Sequence, residues 1–367
     1  MSRFARRITK FARALRGTRR PPTQVRRILV AHYLLLGDTL LLAPLLKALR
    51  QRYPIAQQFV LSRPSYLPLF EKRPYGVTAL AYDRHDPASE RAILRSGPYD
   101  LAFVPDDNRY AWLARAAGAR WIVGFAGDRP AWKNWMLDEA MRYPPQPAAW
   151  ADLCGALAGP APIAPYRMGE WPAPDARPFP GPQGPYVVLH VGASSVLKRW
   201  PASRWRELAD DFASQGLTIV WSGGAGEAGV LDAISMRPGE FDLIGKLDLP
   251  QLWMLLLGAR QLVCPDTGVA HLGRLVGVPT VALFGPGSAV VHGAGQFFRE
   301  ALFAAVTDAQ FPCRDQDILY RRKITWVRRC GRAFGSAPGQ CPRASCMEAI
   351  EIEAVQSACR LQAVRQP

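Results

Sequence analysis

From Val25 onward the chain alternates short apolar, β-rich runs with stretches of helical periodicity. Arg27 to His32 reads as a strand. In the segment that follows, Leu41, Leu42, Leu45, Leu46 and Leu49 fall on one helical face, which predicts a helix from Asp38 to Tyr53 closed by Pro54. Further strands are expected at Gln58 to Ser62, Val77 to Tyr82, Leu101 to Pro105 and Trp121 to Phe125, with Arg109 to Ala117 helical. Such a βαβ series arranges itself as an open, mostly parallel sheet with helices on both faces.

Residues 160–185 hold nine of the chain's 33 prolines, a density that blocks regular structure and marks a linker. The alternation then resumes. Strands are expected at Tyr186 to Val191, Leu217 to Ser222, Gln261 to Cys264 and Thr280 to Phe284, and helices at Ser203 to Ala213, Leu249 to Gly258 and Val269 to Val276. The expected architecture is α/β, with two Rossmann-like lobes facing a central cleft. Its parts are an arm (1–24), a first domain (25–159), the linker (160–185) and a second domain (186–367). Ligands of such sheets sit beyond the carboxyl ends of the strands, so chemistry is sought in the loops there.

The formal charge of +16 over 367 residues changes the picture only at the amino terminus. Residues 1–27 carry ten Lys or Arg and no acid, which leaves about +6 for the rest and argues against a nucleic-acid partner. Phe4, Ile8, Phe11 and Leu15 recur at helical spacing with Arg3, Arg6, Arg7, Lys10 and Arg13 between them. Two readings fit: a basic amphipathic helix, residues 1–20 lying on an anionic membrane, or a solvated basic tail. No apolar run has the form of a secretory signal or reaches the roughly 18 residues of a membrane span. The expected location is the cytoplasm, peripheral to the inner face of the inner membrane.

Three loops of the second domain could carry chemistry. Asp266, Thr267 and Gly268 turn a strand into a helix that carries His271, an arrangement suited to a diphosphate. Capping by Asp266 and Thr267, with His271 as packing, is the plainer alternative. Gly192, Ser194, Ser195 and Lys198 follow the domain's first strand, small and hydroxylic residues ahead of a cation. They suit a pyrophosphate but lack the Walker spacing. Glu227, behind Gly223 and Gly224, could bind ribose hydroxyls. In the first domain, Asp38 after Gly37 stands as either an N-cap or a proton acceptor for an attacking hydroxyl.

The segments ILVAHYLLLGDTLLLAPLLKALRQRYP, VLHVGASSVLKRWPASRWRELAD and VCPDTGVAHLGRLVGVPTVALFGP, in that order, resemble the signature regions of glycosyltransferase family 9, the ADP-heptose:lipopolysaccharide heptosyltransferases. The resemblance runs from about Val25 to Pro286. It implies a GT-B fold, with an acidic glycolipid acceptor on the first lobe and an ADP-sugar donor on the second. It further implies inverting transfer with Asp38 as general base, Lys198 assisting the diphosphate, and Glu227, Asp266 to Gly268 and His271 holding the nucleotide. No cofactor or metal is implied for catalysis. Another nucleotide sugar, a protein acceptor, or a silent nucleotide-sugar-binding protein are the alternatives.

Beyond Pro286 the signal thins. Cys313, Cys330, Cys341 and Cys346 are separated by 16, 10 and 4 residues, without a CxxC pair, amid Arg314, Arg321, Arg322, Lys323, Arg328 and Arg329. Clustered thiols suggest a structural zinc or iron, as in related autotransporter heptosyltransferases with an iron finger, and the spacing departs from theirs. The basic cluster suits either a phosphorylated acceptor or solvent. Cys154, Cys264 and Cys359 are expected as buried packing.

Overall fold

The structure, a computed structural model, describes Ala14 and residues 19–227 and 229–364. The chain divides into two compact units. One takes the chain to Ala164 together with Asp317–Trp326, and the other takes Pro165–Gln316 together with the chain from Val327. The amphipathic pattern of Phe4, Ile8, Phe11 and Leu15 lies outside the described residues.

The first unit is built on six parallel strands: β1 (Arg27–Val30), β2 (Gln57–Ser62), β3 (Val77–Ala81), β4 (Tyr99–Val104), β5 (Ala119–Phe125) and β6 (Glu139–Met141). Their order is β3-β2-β1-β4-β5-β6. Ile28, Leu29 and Val30 are all buried, as expected of a parallel strand covered on both faces. The connecting helices are α1 (Leu36–Leu40), α2 (Ala43–Arg52), α3 (Pro87–Ser96), α4 (Arg109–Ala116) and α5 (Trp150–Ala156). Asp86 caps α3 by accepting from Ala88 N and Ser89 N, with Pro87 at its first position.

The single helix expected from Asp38 to Tyr53 is two helices with a break at Leu41 and Leu42. Pro44 is the reason. It has no N–H to continue a helix but is well suited to the first turn of a new one. α3, α5 and β6 have no counterpart among the elements expected from the sequence.

The second unit repeats the plan with β7 (Tyr186–His190), β8 (Thr218–Ser222), β9 (Phe241–Asp242), β10 (Gln261–Pro265), β11 (Thr280–Leu283) and β12 (Phe303–Val306), ordered β12-β11-β10-β7-β8-β9. Its helices are α6 (Ala202–Ser214), α7 (Val230–Ile234), α8 (Leu249–Gly258), α9 (Gly268–Val276), α10 (Ala289–His292), α11 (Ser345–Glu348) and α12 (Ile352–Val364). Asp248 and Gln251 form a capping box that starts α8. Gly277, at φ 88°, ends α9 in the left-handed conformation that glycine adopts without strain. Trp205, Leu208 and Phe212 of α6 pack with Leu189, Ile219 and Val355 in the core.

Numbered within its own unit, each sheet has the strand order 3-2-1-4-5-6. The direction of winding reverses between β1 and β4 in the first unit and between β7 and β10 in the second. Loops leaving the two strands at such a reversal diverge and leave a crevice for ligand.

The chain returns to the first unit late, through a hairpin of β13 (Ile318–Leu319) and β14 (Arg322–Lys323). Arg322 is buried there and donates to Asp106 O, Phe125 O, Ala126 O and Tyr320 O, while Trp326 Nε1 donates to Pro144 O at 2.9 Å. The expectation of Arg322 as a solvent-facing or acceptor-facing cation is therefore corrected. The carbonyls at the ends of β4 and β5 need donors, and its guanidinium supplies them. Arg314 is likewise committed, to Gly285 O, Phe284 O and the Thr307 hydroxyl, whereas Arg321, Lys323 and Arg328 are exposed.

Candidate functional site

In the second unit the loops after β7 and β10 flank the reversal, and a direct ion pair joins them. Lys198 Nζ donates to Asp266 Oδ2 at 2.9 Å and to Asp266 O at 2.7 Å. Asp266 is buried and Lys198 keeps about a quarter of its exposure (26%), so the ammonium is positioned yet still reachable. The loop after β11 comes equally close, because a Cβ at Gly287 would stand 2.2 Å from Asp266 Oδ2.

Thr267 takes the N-cap position of α9, and its side chain makes no capping bond. The capping reading is thus corrected: the Thr267 hydroxyl is buried without a hydrogen-bond partner among the described residues, and the Asp266 carboxylate goes to Lys198. His271, one turn on, is also buried, and its Nδ1 has no hydrogen-bond partner among the described residues. Burial holds its pKa well below the ordinary imidazole value, with Arg274, His292 and Lys198 acting in the same direction, so the ring is neutral. Gly268 supplies the first turn of the helix. The result is a cation, a helix amino terminus and two buried polar groups lacking partners in one place, which is the composition of an anion site.

Ser195 caps the short turn Val196–Lys198 by accepting from Leu197 N, and Ser194 is exposed. Glu227 ties two loops together: Oε1 accepts from Ala193 N at 2.5 Å and Oε2 from Gly224 N at 2.7 Å. Gly192 is required beside it, since a Cβ there would lie 2.0 Å from Glu227 Oε2. A carboxylate has about four acceptor positions, so these two bonds leave capacity for a ligand hydroxyl.

The first unit gathers a different set at its own reversal. Asp38 is the third residue of α1 rather than its N-cap, the position taken by Leu35. Its Oδ1 accepts from the Tyr320 hydroxyl at 2.7 Å. Burial, and then the Asp38 charge, push the Tyr320 phenol well above its ordinary pKa, so the phenol is the donor. His32 lies close by. Burial lowers its pKa to about 3 against the pull of Asp38, its Nδ1 accepts from Leu34 N, and its Nε2 lacks a partner among the described residues. On the far side of the reversal Asp106 is buried, which raises its pKa to about 7. Three arginines of the first unit are engaged locally: Arg63 with Leu34 O and the Tyr33 ring, Arg84 over the same ring, and Arg109 with Asp107.

Tyr320 and His32 are not among the site residues that the sequence pattern points to, and Arg322 stands there only as one of a basic cluster. No local pattern marks Tyr320, whereas a histidine ending the first strand of a βαβ unit is a signal that could have found His32.

Cys154, Cys264 and Cys359 are buried, and all seven cysteines are free thiols. Burial raises the Cys313 pKa, as do Cys330 and Cys341, and burial with Cys313 and Cys330 pushes Cys346 up to about 11, so the four tail thiols gather in one region. Among the described residues, however, no three His, Cys, Asp or Glu side chains are arranged to hold a metal ion. Cys341 Sγ instead donates to Arg343 O.

Residues 90–295 match the family model described as glycosyltransferase family 9 (heptosyltransferase). The chain is 30% identical over 253 residues to lipopolysaccharide heptosyltransferase 1 of Pseudomonas aeruginosa, covering 64% of this chain and 69% of that protein. Among solved structures it resembles the ADP-heptose lipopolysaccharide heptosyltransferase II of Escherichia coli, with a TM-score of 0.67 and 18% identity over 93% of this chain and 99% of that one. It also resembles a bacterial iron-containing dodecameric glycosyltransferase from enterotoxigenic E. coli, with a TM-score of 0.56 and 14% identity over 94% and 77% of the two chains. With these matches, and with a Rossmann-type sheet in each unit, the chain belongs to glycosyltransferase family 9 and is a glycosyltransferase of GT-B fold.

Proposed function

We propose that the protein transfers heptose from ADP-heptose to an acidic acceptor of the lipopolysaccharide inner core, with inversion at the anomeric carbon. The observation that carries this reading is the Lys198–Asp266 pair beside the amino terminus of α9, where Thr267 and His271 have buried polar atoms without hydrogen-bond partners among the described residues. The family supports the sugar and acceptor class, and the names of the relatives support the donor.

In this mechanism the Asp38 carboxylate accepts the proton of an acceptor hydroxyl as its oxygen bonds to the anomeric carbon. The bond from that carbon to the diphosphate oxygen breaks with its electron pair, and ADP departs. Lys198 and the N–H groups of the first turn of α9 offset the negative charge that develops on the diphosphate. Glu227, beside Gly192, is the proposed ribose acceptor, and Ser194 and Ser195 line the phosphate loop.

Asp38→Asn is the decisive variant. ADP release from ADP-heptose with heptose-deficient lipopolysaccharide is expected to fall by at least about 100-fold while ADP still binds. Wild-type turnover in this variant removes Asp38 as base. Competition by UDP- and GDP-sugars tests the donor.

Two further parts of the reading concern the surroundings. The basic arm, residues 1–20, is proposed to hold the enzyme at the anionic inner face of the membrane, and among the described residues no helix is long and apolar enough to cross one. A structural zinc or iron on Cys313, Cys330, Cys341 and Cys346 is a separate proposal. The gathering of the thiols favours it and their present arrangement opposes it. Elemental analysis decides: one equivalent of metal supports the site and its absence removes it.

A further inference from the structure

The hairpin that returns from the distal chain bonds to both sides of the strand-order reversal of the first unit. Arg322 fastens it to carbonyls on the β4 and β5 side, at Asp106 O, Phe125 O and Ala126 O. Tyr320 meets the β1 side, where its hydroxyl is 2.7 Å from Asp38 Oδ1 across 282 residues of sequence. The ring is held against Trp150, itself fully buried, with centroids 4.3 Å apart.

The backbone that delivers this hydroxyl is strained. Tyr320 (φ 44°) and Arg321 (φ 64°) occupy the two central positions of a two-residue turn, both left-handed, where Asn and Gly are the usual occupants. A bulky residue persists in that conformation only where its surroundings over-determine it, and such outliers collect at functional sites. Here the surroundings are Arg322, Trp150 and Asp38.

From this geometry we infer that Tyr320 is a positioning residue for Asp38: its hydroxyl fixes one carboxylate oxygen, so that Asp38 is oriented to take the proton of the acceptor. The inference rests on the proposed role of Asp38. A removable plug, with the phenol in the place of the acceptor hydroxyl, would need a mobile hairpin, and the Arg322 and Trp326 anchors oppose that.

Hydrogen bonding to a carboxylate favours its charged form, so losing the phenol raises the pKa of Asp38. Ionisable groups around Asp38 include His32, on which Arg63 also acts, together with Tyr66 and Cys154, while Asp106 lies near Tyr320 and both Asp106 and Asp152 act on Cys154. Burial holds His32 neutral and pushes Tyr66 and Cys154 upward. Asp106, which burial raises to about 7, is a nearby carboxyl that titrates in this range, and Asp106→Asn serves as the background that removes it.

The test is the pH profile of kcat for Tyr320→Phe, in the wild-type and Asp106→Asn backgrounds, with ADP-heptose and heptose-deficient lipopolysaccharide. The expected result is an acid limb displaced upward by about one pH unit, kcat reduced about tenfold at its plateau, and acceptor KM and ADP affinity within about twofold of the parent. Incorporation of 3-fluorotyrosine at 320, a stronger donor in the native fold, is expected to move the limb the opposite way. It keeps the test open if Tyr320→Phe does not fold. An unmoved limb in both proteins overturns the inference, as does a lower acceptor KM with higher kcat. Asp38→Asn separates the two ideas. If it is inactive while the Tyr320 variants behave as wild type, Asp38 stands and Tyr320 falls; if it is fully active, the base assignment falls with it.

Discussion

Gly192→Ala asks whether Glu227 acts as a clasp across the loops that follow β7 and β8. The new methyl would stand 2.0 Å from Glu227 Oε2 and 3.1 Å from the Cα of Gly223. Carbon and oxygen in contact need well over 3 Å, so the carboxylate must retreat by more than about 1 Å. Retreat opens the bonds from Ala193 N (2.5 Å) and Gly224 N (2.7 Å). Hydrogen bonds to a charged group are worth about 1.5–3 kcal/mol each, and water reaching this partly exposed loop returns much of that. A net loosening of about 1–3 kcal/mol remains, which corresponds to ADP binding weakened roughly 5- to 150-fold if the loop must be re-formed around the nucleotide. Calorimetric titration with ADP of the wild type, Gly192→Ala, Glu227→Ala and the double variant provides the check. Both single changes break the same two bonds, so the double variant should resemble the weaker single rather than their sum. Any excess loss in Glu227→Ala over Gly192→Ala measures a direct contact with ribose. Additive effects, or wild-type ADP affinity in Gly192→Ala, refute the clasp.

Two other expectations concern the first unit. Arg322→Ala strips buried carbonyls of their donor and is expected to lower unfolding stability in urea by about 3 kcal/mol, with trypsin newly cutting at Arg321 and Lys323; unchanged stability contradicts the anchoring role. Burial raises Asp106 from 3.8 to about 7, so the folded state holds its proton longer than the unfolded chain does. The corresponding stability is complete below about pH 4 and is lost as pH rises toward 7, by up to about 4 kcal/mol. Asp106→Asn should flatten that slope, and an equal slope in the variant excludes Asp106 as its source.

The two halves of the machinery differed in how far the sequence disclosed them, and the reason is topological. In the second unit the residues proposed to hold the nucleotide sit on loops leaving β7, β8 and β10, each a strand-turn-helix legible over about a dozen residues, and α8 has the expected bounds, Leu249–Gly258. What local pattern could not supply there was the partner of each side chain. Asp266 binds Lys198, 68 residues away, and so Thr267 is left without the capping role its residue type suggests.

In the first unit local pattern disclosed Asp38 and nothing of what holds it. The apolar face of Leu41 to Leu49 persists through the break at Leu41 and Leu42, so periodicity alone reads one helix where Pro44 makes two. The hairpin is less legible still. A turn of Tyr and Arg carries none of the Asn-Gly chemistry by which hairpins are found, and Arg322 stands in a basic run whose composition points to solvent. The family match ends at 295, before the hairpin begins. The Asp38–Tyr320 contact is therefore a matter for this chain's own geometry, and the pH profile of Tyr320→Phe is its test.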